Sequence, residues 1–166
     1  DRWRRLHLLV HLVAFLVEVG ASRDELADAT TRFEAMHIGP RELPVQFRLV
    51  YAWLAKARLA ELDGSRLARD RFLAARADLA RAATHPSLRT KLLYLDAAFA
   101  LYEGDRARGE AGLEEAFALA RSIDDRLVIW EVHAARAHWS LADALAEREG
   151  WRPRLGRRAS GAAHEA

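Results

Sequence analysis

The sequence predicts an all-α protein of about seven helices, and three observations carry that prediction. Glycine and proline punctuate the 166 residues at few places: Gly20, Gly39-Pro40, Pro44, Gly64, Pro86, Gly104, Gly150 and Pro153. Between them lie long stretches rich in Ala, Leu, Arg and Glu, all good helix formers. No segment reads as a strand. The best candidate, Arg126–Trp130 (RLVIW), sits inside a longer helical pattern.

The first helix is expected over about 2–19. Its apolar residues, from Leu6 to Val19, cover nearly the whole circumference, so it must be covered on more than one side. An upstream repeat, a second copy of the chain or the C-terminal segment would each serve. Ser22-Arg-Asp-Glu25 forms a capping box that opens a second helix, ending near His37. Pro44 suits the first turn of a third helix, which reaches about Asp63, because a proline there gives up an amide that has no helical partner. A fourth follows Gly64-Ser65 to Ala83. Pro86 opens a fifth, to Glu103. A sixth runs from Gly104-Asp105 to Ser122, and a seventh from about Asp124 to Glu149. Residues 1–150 form one domain, and 151–166 read as a basic, disordered tail.

Composition narrows the function. Cysteine is absent, which removes disulfides, thiolate metal sites and cysteine nucleophiles and fits a cytoplasmic setting. Charged residues make up 30% of the chain with a net charge of only +2, mixed along its length, so a nucleic-acid stripe is not indicated. Lys56 and Lys91 are the only lysines; with the abundant Ala and Arg this points to a GC-rich bacterial genome. The run Leu8–Val19 contains His11 and Glu18 and is shorter than the ~18–20 apolar residues that span a bilayer, so no membrane segment is expected. The chain opens on Asp1 and reads as a piece of a longer protein.

The corners at Gly20, Gly64, Gly104 and Gly150 are 44, 40 and 46 residues apart. Eleven positions before them stand Leu9, Trp53, Leu93 and Trp139. Seven before stand Val13, Ala57, Ala97 and, departing, Asp143. Bulky and small residues recurring on one helix face let a neighbouring helix approach closely. In the best unit Gly109, Leu113 and Ala116 continue the pattern on the second helix; Ala68, Phe72 and Ala75 do so in the preceding unit, one residue out of step. This pattern resembles the tetratricopeptide repeat, in long and degenerate units similar to those of bacterial regulators such as LuxR-type activators, signal-transduction ATPases and kinase C-terminal extensions. The resemblance implies antiparallel helix pairs stacked as a short right-handed solenoid. It also implies a non-catalytic scaffold or sensor role, binding a protein, a peptide, a small effector or a neighbouring domain without a cofactor. On that register Tyr51, Leu54 and Arg58 of the third helix, Lys91, Tyr94 and Tyr102 of the fifth, and Ser140 and Arg148 of the seventh are expected to line a groove.

Other readings stay open. The apolar first helix offers self-association as a homodimer. His133 and His138 offer a small helical enzyme, and with Trp130 and Trp139 an aromatic stacking site. His7 and His11 have the i, i+4 spacing of a metal pair, but Leu8 stands where a metalloprotease carries Glu, and two exposed histidines on a packed helix are the expectation. Gly104–Gly112 lacks the strand and the Lys-Ser/Thr of a phosphate loop and reads as close helix packing. No nucleophile-elbow sequence supports Ser87 or Ser140 as a nucleophile. Arg157–Ser160 (RRAS) in the tail matches a basic-directed phosphorylation site.

Overall fold

The computed structural model describes residues 2–149, with only the backbone of Arg23 and of 143–149. The basic segment 151–166, with the RRAS motif, lies outside them. Seven α-helices account for most of the described chain: α1 (Arg2–Glu18), α2 (Arg23–Glu34), α3 (Val50–Ala60), α4 (Arg66–Ala82), α5 (Pro86–Tyr102), α6 (Arg106–Ser122) and α7 (Arg126–Glu149). Among the described residues there is no strand, and no helix is long and apolar enough to cross a membrane.

The corners are built from local chemistry. Gly20, Gly64 and Gly104 have φ of 66°, 86° and 84°, the left-handed region that costs a residue with a Cβ but not glycine. At Gly20 and Gly104 the following amides reach back to close the helix: Ala21 N donates to Leu16 O at 3.0 Å and Asp105 N to Ala100 O at 2.9 Å. The same closure ends α6, where Asp125 N donates to Ala120 O at 2.9 Å, but the left-handed residue is Asp124. The next helix is then capped: Ser22 and Glu25 form the full box at α2, Ser65 accepts from Ala68 N at α4 and Asp105 from Arg108 N at α6.

One boundary differs from expectation. Pro44 precedes a short 3₁₀ turn (Val45–Phe47), and α3 begins only at Val50. Arg48 fixes this connection: its Nε donates to Leu43 O at 2.8 Å and its guanidinium to Thr84 Oγ1 at 3.0 Å, tying the approach of α3 to the end of α4.

Helix packing follows the pairing. α1 packs on α2, α3 on α4 and α5 on α6, while the odd-numbered helices touch in chain order, α1 on α3, α3 on α5 and α5 on α7. The even helices also bridge forward, α4 onto α5 and α6 onto α7. The shared register underlies this. Seven positions before the glycine corners, Val13, Ala57 and Ala97 are 0–2% exposed; fourteen before, Leu6, Val50 and Thr90 are equally buried. α5 and α6 approach closely. A Cβ added to Gly109 would lie 2.4 Å from Leu101 Cγ, and one on Gly112 2.9 Å from Ala97 Cβ. Among the residues of α7 whose side chains are described, Val128, Glu131 and Val132 are buried, whereas Arg136, fourteen positions before Gly150, and Trp139 are only half-buried.

Candidate binding surface

The predicted groove residues fall in three places. Tyr51, Leu54 and Arg58 are 2%, 4% and 4% exposed. They line the wall of a cleft of about 570 Å³ between α2, α3 and α4. Tyr51 Oη donates to Ile38 O at 2.7 Å, and burial, with the charges of Asp78 and Glu42, pushes its phenol well above the ordinary value. Arg58 donates to Glu61 Oε2 and Glu34 Oε1, both at 2.8 Å. Leu54 belongs to the core.

Lys91 and Tyr94 face a second place, where α1, α3, α5 and α7 meet beside Trp53. Lys56 Nζ lies 2.8 Å from Glu131 Oε1 and 3.6 Å from Glu18 Oε1, joining α3 to α7 and α1. The Glu131 side chain is only 8% exposed. Burial depresses the Lys56 ammonium, but the hydrogen bond and charge of Glu131, helped by Glu18, outweigh it and leave the group above its ordinary value. Burial and the Glu131 charge raise the Tyr94 phenol. The open space is about 20 Å³, room for one water. The clasp thus fills what spacing alone suggested would be a trough. Sequence reasoning missed Lys56 and Glu131; Glu131 sits at a buried position of α7, yet its partner is 75 residues away.

Ser140 lines the third place, a cleft of about 510 Å³ where the end of α5 meets α6 and α7. Leu101, Leu113 and Trp139 form its apolar lining. Two ion pairs rim it: Arg106 Nε to Glu110 Oε1 at 2.7 Å, and Arg136 Nη2 to Glu114 Oε2 at 2.5 Å. Arg136 and Arg121 also stand over the Phe117 ring, at 5.5 and 5.9 Å from its centroid. Tyr102 lines none of these clefts; it is half-buried and stacks on Phe99 with centroids 6.4 Å apart. Of Arg148 only the backbone, within α7, is described.

The histidines are dispersed. His133 packs edge-on against Phe117 at 5.2 Å, and His138 against Trp139 at 5.9 Å, five positions on and so on a different face of the helix. Trp130 is 65% exposed. His7 and His11 are in edge contact at 4.5 Å, with Phe47 5.3 Å from His7. Among the described residues no three His, Cys, Asp or Glu side chains gather where they could hold a metal.

No protein-family model matches this sequence, and neither a curated protein nor a solved structure matches it significantly.

Proposed function

We propose that this chain is a non-catalytic binding module, a short tetratricopeptide-like stack of helix pairs that serves as scaffold or sensor arm of a bacterial regulator. The observation that carries this reading is the cleft between α5, α6 and α7. Its volume, about 510 Å³, is within the range of ligand sites. It joins an apolar floor (Leu101, Leu113) and an indole wall (Trp139) to a rim bearing both signs of charge. That combination suits an apolar or aromatic side chain presented by a peptide, with the rim pairs rearranging around its backbone and neighbours. The pairwise helix packing supports the repeat reading, because each pair leaves surfaces that only the next pair, or a partner, can cover.

The test is site-specific photo-crosslinking in cells that make the protein. A crosslinker at Glu114, on the rim, is compared with one at Arg71, beside the α2–α4 cleft. Capture of a discrete partner at 114, lost when Leu113→Trp fills the floor, supports the proposal. Equal capture at both positions, or capture unaffected by Leu113→Trp, rejects it.

A further inference from the structure

His7 and His11 stand one turn apart on α1, both exposed, with ring centroids 4.5 Å apart. Among the described residues neither imidazole has a hydrogen-bond or ion-pair partner that would have to be given up. The backbone beneath them is held in place: Leu6, Leu9, Val10 and Val13 are buried, and α1 packs on α2 and α3. Other histidines are placed differently. His133 and His138 are five positions apart on different faces of α7, and His85 accepts from Ser87 N at the start of α5.

The separation of the two rings fits one coordination geometry. An imidazole nitrogen binds a divalent metal at about 2.0–2.1 Å and the ring centre lies about 1.1 Å further on, so metal and centroid are about 3.2 Å apart. Two such ligands at a right angle have centroids about 4.5 Å apart, and at the tetrahedral angle about 5.2 Å. The observed 4.5 Å is that of neighbouring ligands in a square-planar or octahedral shell, the tetragonal geometry of Cu²⁺ and Ni²⁺ rather than the tetrahedral one of Zn²⁺. The ring planes meet at 65°, and because both side chains are exposed, aiming one nitrogen of each at a common point moves only their own torsions. Arg4 stands three positions before His7, and no Lys or Arg follows Arg5 in α1 to repel a cation.

We propose that His7 and His11 chelate a late divalent transition metal, Cu²⁺ or Ni²⁺, with water completing the shell. Two protein ligands, where a structural zinc site has four, make this a surface site from which the metal exchanges. Of the two ions Cu²⁺ binds the tighter, as the order of divalent affinities for nitrogen ligands requires. The site shares no residue with the cleft between α5, α6 and α7 and does not depend on that reading.

Calorimetric titration of the full chain with nickel chloride at neutral pH should reveal a site that His7→Ala and His11→Ala each weaken at least about tenfold, because each leaves a lone imidazole. A variant carrying both His133→Ala and His138→Ala should bind as the parent does. Both rings of the pair are exposed, so helical circular dichroism should be unchanged. Cu²⁺ on the parent should show electron paramagnetic resonance coupling to two nitrogens, and on His7→Ala to one. Ni²⁺ should raise the melting temperature of the parent but not of His7→Ala, since a metal joining positions one turn apart binds only where the helix is formed. Affinity unchanged by His7→Ala, an equal loss in the His133 and His138 variant, or coupling to a single nitrogen in the parent would each overturn the proposal.

Discussion

Replacing Glu131 with Ala tests whether the clasp between α3 and α7 holds the odd-numbered helices together. The carboxylate is 8% exposed and accepts from Lys56 at 2.8 Å; the Lys56 side chain is 34% exposed, and Glu18 stands 3.6 Å from it. A solvent-exposed ion pair contributes about 0–1 kcal/mol, whereas removing one partner of a fully buried pair costs about 3–5 kcal/mol. Lys56 keeps partial access to water, and Glu18 remains as a second acceptor, so the cost should lie between these limits, at about 2 kcal/mol. For a helical chain of this length that corresponds to a melting temperature lowered by about 4–8 °C. Urea and thermal unfolding followed by circular dichroism would measure it. Lys56→Met with Glu131→Met should return to within about 1 kcal/mol of the parent, because two apolar side chains leave no stranded charge. A loss below about 0.5 kcal/mol for Glu131→Ala would refute the clasp, since that is what a surface pair gives. So would single and double variants that simply add, because contacting partners must show coupling.

Two further predictions follow from burial and close approach. Lys56, Tyr51 and Tyr94 all titrate above their ordinary values in the folded chain. The folded state thus keeps protons that the unfolded chain has released. Their contribution is complete below about pH 10 and is lost as pH rises through that region. Tyr51→Phe should cost about 1 kcal/mol at neutral pH, through loss of the bond to Ile38 O, and should flatten the alkaline decline measured by urea titration. Gly109→Ala should destabilise even though alanine gains up to about 1 kcal/mol in helix propensity, because its Cβ would lie 2.4 Å from Leu101 Cγ and overpacking costs about 1–3 kcal/mol. A melting temperature raised by Gly109→Ala would show that α5 and α6 are free to move apart.

The helix pairs were legible because their signals are local. The capping box at Ser22, the glycine corners at 20, 64 and 104 and the proline opening α5 each act within one turn of backbone. The exceptions are places where tertiary partners decide. Pro44 looks like a helix start, but Arg48 binds Leu43 and Thr84 and delays α3 to Val50. The corner at Asp124 carries no glycine, yet the break between Ser122 and Asp124 is legible in the sequence.

The candidate surface was less legible, for a reason visible in α3. Sequence periodicity identifies which residues share a face, but not which faces the neighbouring helices take. Tyr51, Leu54 and Arg58 do share a face, and that face turns to α2 and α4. Lys91 and Tyr94 turn instead to the junction closed by Glu131. A buried carboxylate at a core position should be read as a request for a distant cation, but with two lysines and twenty-four arginines in the chain the sequence does not say which one answers it. Along α1 the row of Leu8, Leu12, Phe15 and Val19 is exposed and uncharged, where the equivalent positions before Gly104 are Leu92, Asp96, Phe99 and Glu103.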